Sequence, residues 1–186
     1  MLLPISFSRP RQLDPNMKVL HTCIPALAAA SCTLAAEVPT APELNWVLSA
    51  QVTPGTPIDI GPVPGGNRTA LPIAGGKIWG PFFNGSLAPV GVDAGVVTPG
   101  GGFNPGGVAI LQTDDGANII FRDNGFQTND TIYGAVTLET GAEKYEWFNR
   151  AVMVSKAQFG SKDKSSPVTL SIFVVSTLMF ECDGVG

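Results

Sequence analysis

The chain reads as an all-β protein built as a single antiparallel barrel, closed or nearly so, behind an N-terminal signal peptide. Three observations predict this. Turn signals recur about every ten residues, as in sandwiches and barrels: Gly55, Gly65-Gly66, Gly75-Gly76, Asn84-Gly85, Gly100-Gly101-Gly102, Asp115-Gly116, Asn124-Gly125 and Gly141. The runs between them are short and rich in Val, Ile, Thr and Phe, which suit strands. No segment sustains helical periodicity. Closing the sheet removes its two exposed edges, although a sandwich would share the same pattern and pattern alone does not separate the two.

Taken in order, residues 1–16 carry Pro4, Pro10 and Pro15 with no periodicity and read as an extension ahead of the true start, which we place at Met17. Residues 17–36 have a short basic start, an apolar middle and a small-residue end, the layout of a secretory signal. They hold His21, Cys23 and Cys32, so a processed chain would have no histidine and a single cysteine, Cys182. Residues 37–43 form a proline-containing linker, 44–180 the barrel domain and 181–186 a tail. Strands are expected at Leu44–Val52, Ala70–Ala74, Lys77–Phe82, Val92–Val97, Val108–Gln112, Asn118–Arg122, Thr131–Leu138, Ala151–Ser155 and Val168–Phe180. Gly141–Phe148 has room for one helical turn. The run Val168–Phe180 is shorter than the roughly twenty residues a membrane helix needs.

Composition narrows the function. The chain is 44% hydrophobic and 14% charged, so it has the material for a core. From Glu37 onward eight Lys and Arg face fourteen Asp and Glu. No basic patch is visible, which argues against a nucleic-acid partner and against a membrane partner after signal cleavage. One cysteine permits no internal disulfide. Zinc sites of the usual kind, Ser-His-Asp triads and Cys-His pairs all require residues that a processed chain lacks. No phosphate loop is present, because the glycines around Asn104-Pro105 lack the Gly-Lys-Ser/Thr ending, and no cofactor is expected. The sequons at Asn67, Asn84 and Asn129 suit a secreted, glycosylated protein.

Two clusters carry candidate chemistry. In Val90–Val97 the residues Val90, Val92, Ala94 and Val96 share one strand face, while Gly91, Asp93 and Gly95 share the other. A carboxylate between two glycines has space for a ligand, and burial would raise its pKa into the working range of a general acid or base. It also suits a strand-end Asp bonded to backbone amides at a bend. In Tyr145-Glu146-Trp147-Phe148-Asn149-Arg150, an extended backbone would turn Tyr145, Trp147 and Asn149 to one side, where an indole beside an amide makes a floor for a flat organic molecule. The same indole would serve equally to plug the end of a barrel. Asp114-Asp115-Gly116 and Asp123-Asn124-Gly125 lack the alternating oxygen ligands and closing Glu of a calcium loop. Both read as hairpin turns, and no metal is expected.

The segments Asn67–Pro81, Gly91-Val92-Asp93, Thr113–Ala117 and Tyr145–Arg150 together resemble domain-of-unknown-function family 3237, in order and spacing across about Leu44–Leu178. The resemblance implies a small, calycin-like barrel and no settled activity. Where the family commonly has a tryptophan after the Gly-Asp step, this chain has Ala94. Where it commonly has an arginine before the Thr-Asp-Asp-Gly turn, this chain has Val108-Ala109-Ile110. Both changes make the expected pocket more apolar. The leading functional expectation is therefore a secreted barrel binding a small, mostly apolar organic molecule, with Asp93, Trp147, Asn149 and Tyr145 as contacts. The others are a cofactor-free isomerase or cyclase using Asp93 as acid or base, and a structural protein whose barrel is filled by Trp79, Phe82 and Trp147.

Overall fold

The computed structural model describes residues 38–160 and 167–176. The chain divides into the units Met1–Pro39 and Thr40–Gly186, and the strands among the described residues belong to the second. The expected extension and signal peptide, Cys182 and the expected tail all lie outside the described residues.

Among the described residues ten strands form one antiparallel sheet: β1 Glu43–Pro54, β2 Ile58–Val63, β3 Gly66–Trp79, β4 Asn84–Val97, β5 Phe103–Asn104, β6 Gly106–Thr113, β7 Asn118–Thr128, β8 Thr131–Glu139, β9 Met153–Phe159 and β10 Val168–Ser176. The sheet closes because β3 pairs with β4 as well as with β1, giving the circuit β3-β1-β10-β9-β8-β7-β6-β4. Eight strands thus make a barrel, and β2 and β5 stand outside it. β2 continues the ladder along Gly66–Ala70 of β3 beyond the point where β1 ends at Pro54, and β5 does the same along Val96 and Val97 of β4. The expected barrel stands, and the sandwich does not.

Inward positions alternate with outward ones, as the period of a strand requires. Along β6, Gly107, Ala109, Leu111 and Thr113 are buried, and along β7 Ile119 and Phe121 are buried. With Leu48, Ala50, Ile73, Leu87, Val136, Leu138 and Ile172 they fill the middle of the barrel. Removing this apolar surface from water is the main favourable term in folding. One end is stopped by a 3-10 helix, Glu143–Arg150, which links β8 to β9. Three residues per turn set Tyr145 and Phe148 on the same face, and both are buried. Their rings stack 5.9 Å apart, and Phe83, from the β3–β4 connection, meets both edge-on at 5.2 and 6.1 Å.

Two expected turns are strand interior. Gly75-Gly76 does not separate two strands but marks an irregularity within β3, where register with β4 shifts between Pro72 and Gly76. A side chain on Gly76 would collide with the Gln51 carbonyl and the Leu87 side chain, so the glycine serves close approach and not reversal. Asn124-Gly125 likewise lies inside β7, with Gly125 opposite Gly134. The reversal comes four residues later at Asn129-Asp130, closed by the Thr128–Thr131 pair, with Asn129 at a φ of 55°. Asp115-Gly116 does make the expected hairpin turn between β6 and β7. Among the described residues no helix is long and apolar enough to cross a membrane.

Candidate ligand site at the barrel mouth

At the end opposite the 3-10 helix the barrel opens into a small apolar cavity. Its floor is Val52, Ile73, Phe121 and Leu170, side chains that also wall a smaller apolar void deeper in the barrel. Pro54, Pro105, Phe159 and Val168 surround the opening. Phe103 leans over it from β5, its ring 5.9 Å from that of Phe159 and its backbone N–H donating to Gln127 Oε1 at 2.8 Å.

Two carboxylates break this apolar lining, Asp93 on β4 and Asp123 on β7. Between them runs β6, whose Gly107 pairs with Asp93 on one side and Asp123 on the other. The Gly106 N–H donates to Asp93 Oδ1 at 2.9 Å, and the Gly107 N–H donates to Asp123 Oδ1 at 2.8 Å. Burial in the apolar wall pushes Asp93 up to about 6. The Gly106 N–H opposes that rise by favouring the charged form, and the Asp123 charge adds to it. Asp123 is also raised, again chiefly by burial, against the pull of the Gly107 N–H. A carboxyl that titrates near 6 can exchange a proton in either direction close to neutral pH.

Asp93 thus satisfies parts of both sequence readings: it faces the lumen, and it also accepts a backbone amide. The space beside it is narrower than expected, because the Phe103 ring occupies the room left by Gly95. The sequence weighs Asp123 only as a calcium ligand and reads it as part of a hairpin turn, not as a residue of this site. Its Asp-Asn-Gly context imitates a turn, while the signal that reveals it is the alternation Ile119, Phe121, Asp123 along one strand face.

The structure does not bring Tyr145, Trp147 and Asn149 to Asp93. They lie on the 3-10 helix at the stopped end, and none of them lines the mouth cavity. The backbone there is not extended, so the expected alternation gives way to a three-residue period. Tyr145 is buried and its hydroxyl donates to Asp115 Oδ2 at 2.8 Å, beside Lys144 Nζ at 2.6 Å. These partners hold Asp115 well below the usual carboxylate range, with Lys144 the largest cause. Trp147 packs on Phe148 and Phe82 at 4.3 and 5.3 Å. Asn149 Oδ1 accepts the Thr140 N–H at 2.8 Å, and Asn149 Nδ2 donates to the Thr140 carbonyl at 2.9 Å. Trp79 faces outward and is 40% exposed, so of the expected stopper Trp79, Phe82 and Trp147 the last two pack against the core, beside the buried Phe83, Tyr145 and Phe148, and they fill one end of the barrel. Among the sequons, Asn84 and Asn129 are exposed, and Asn67 Nδ2 donates to Asp59 at 2.7 Å. Among the described residues no three His, Cys, Asp or Glu side chains are grouped to hold a metal.

Fold and site define a small closed β-barrel stopped at one end, with an apolar cavity and two carboxylates at the other. Residues 42–136 match the family described as protein of unknown function (DUF3237), and the chain belongs to that family. It is 32% identical over 133 residues to a UPF0311 protein of Clostridium acetobutylicum, an alignment covering 60% of this chain and 84% of that one. It is 32% identical over 130 residues to a protein of Penicillium herquei named a hydroalkoxylation enzyme, covering 69% of this chain and 83% of that one. A β-barrel-like protein from Acinetobacter baumannii, 22% identical, superposes with a TM-score of 0.65 over 75% of this chain and 99% of its own, and shares the fold.

Proposed function

We propose that this chain is a secreted, cofactor-free barrel that takes a small, mostly apolar organic molecule into its open end and transfers a proton to or from it through Asp93. The observation that carries the reading is a raised carboxyl set in the wall of an otherwise apolar cavity. Apolar walls bury the body of a ligand and exclude water, and the few polar groups set in them then fix its orientation. The same walls keep Asp93 partly protonated near neutral pH, so it can serve as acid or as base.

The name of the Penicillium relative supports the catalytic half. Hydroalkoxylation adds an alcohol O–H across a carbon–carbon double bond, an isomerisation when both groups belong to one molecule. Such a reaction requires a proton donor at carbon and an acceptor at oxygen, and no redox change. Incubation with 2-allylphenol in D₂O tests the proposal: the expected product is a cyclic ether carrying one deuterium on carbon, and Asp93→Asn should abolish it. One-to-one binding that the substitution weakens, without conversion, would make the protein a carrier. Failure to bind or convert neutral phenols at all would overturn the reading.

A further inference from the structure

We infer that Asp93 and Asp123 form a single unit that holds one proton between them across Gly107, and that Asp123 is the second acid–base residue of the site. The inference rests on the reading of the mouth cavity as a proton-transfer site, and deepens it by naming the partner that Asp93 requires.

The geometry begins with the missing side chain of Gly107. A side-chain carbon there would stand 3.9 Å from Asp93 Cβ and 3.5 Å from Asp123 Cγ, and would collide with Asp123 Oδ1. The Asp123 carboxyl therefore lies over the space that Gly107 leaves open, with Asp93 Cβ at its border, and both carboxyls line the same cavity from strands on either side of β6. Each is anchored by one oxygen to an adjacent amide of the Gly106-Gly107 pair. Among the described residues the cavity wall supplies no cation to neutralise them: its other lining residues are apolar side chains and Gly107. The neighbouring arginines are occupied elsewhere. Arg68 donates to the Ala94 carbonyl, and Arg122 pairs with Glu139 at 3.1 Å, both arginine and glutamate being substantially exposed. Two like charges sharing a poorly hydrated gap repel, so removing a proton from one makes removal from the other harder.

A one-proton pair can act at two places on a substrate at once. The protonated carboxyl delivers its proton to a substrate carbon, and the double-bond electron pair forms the C–H bond. The ionised carboxyl removes the proton of the substrate hydroxyl, whose oxygen forms the new C–O bond. The substrate gains and loses one proton and is released as an isomer. The pair ends with its proton on the other member, ready after a transfer between them. A neutral hydroxyl compound fits this site, whereas a carboxylate or phosphate would meet the remaining negative charge.

Carbon-13 NMR titration of the aspartate side-chain carboxyls in the unliganded protein tests the unit directly. Both residues are expected to titrate in two steps, each resonance reporting ionisation of the other, and Asp123→Asn should lower the Asp93 midpoint by about one pH unit. Independent single-step curves in the unsubstituted protein, or an Asp93 midpoint unmoved in Asp123→Asn, would overturn the inference. The first of these outcomes decides the question even if the variant does not fold. Binding of 2-naphthol, measured on the same samples, separates the two claims. Coupled titration without binding would uphold the pair and reject the cavity reading, and binding with uncoupled titration would do the reverse.

Discussion

Asp93 and Asp123 stand on strands that do not pair with each other, yet they accept hydrogen bonds from consecutive amides, those of Gly106 and Gly107, at 2.9 and 2.8 Å. The strand between them presents no side chain to the lumen at that level. A small barrel ordinarily fills such a position with side chains, and here the filling is replaced by two acids under an apolar rim.

The first consequence is for stability against pH. Asp93 is raised in the folded state from 3.8 to about 6, so the folded chain binds more protons than the unfolded chain between those values. Its contribution is present in full below about pH 4 and is lost as pH rises through 6. A shift of this size corresponds to about 3 kcal/mol. Asp93→Asn keeps an oxygen for the Gly106 N–H and removes the buried charge. Thermal melts at pH 8 should therefore show the variant more stable than the parent, with the difference vanishing toward pH 4. A lower melting temperature at pH 8 would mean that the ionised carboxylate anchors the strand.

The stopped end should matter for stability and not for binding. Asn149→Ala removes both partners of the Thr140 backbone, and Tyr145→Phe removes a hydroxyl bonded to a carboxylate. Each should cost about 1–3 kcal/mol in denaturant unfolding, with ligand affinity unchanged. An affinity loss with intact stability would return the site to this helix.

Much of the fold is legible in the residues because inward and outward positions alternate cleanly along β6 to β8. The departures share a physical cause. A glycine can mark a reversal or the close passage of another strand, and nearby sequence does not distinguish them. Gly75-Gly76 and Asn124-Gly125 both look like reversals in sequence, and the second resemblance conceals Asp123. β2 and β5 are not legible because their pairing depends on how far β3 and β4 extend past the barrel. The helix around Tyr145 admits two readings in sequence, one helical turn over Gly141–Phe148 or an extended segment, because its aromatic spacing fits either period. Asp93 is legible because its flanking glycines stand on one strand face.

Phe103 is 1% exposed and rests where Gly95 has no side chain. Phe103→Ala should lower stability by about 3 kcal/mol and uncover the mouth. Stopped-flow measurement should then show faster ligand release, and an unchanged rate would place the entry path elsewhere.

Export is tested at the N-terminus of protein recovered from culture medium. Cleavage is expected after Ala35 or Ala36, with N-linked glycans on the exposed Asn84 and Asn129. Intact chain beginning at Met1 and retained in cells would reject secretion.

The most direct test of the site is where a neutral ligand perturbs the barrel. With 2-naphthol titrated into nitrogen-15-labelled protein, a mouth site predicts saturable shifts of the Gly106 and Gly107 amides and of Phe121, with Tyr145 to Asn149 still. Shifts centred on the 3-10 helix, or none at Gly106 and Gly107 at saturation, would contradict it.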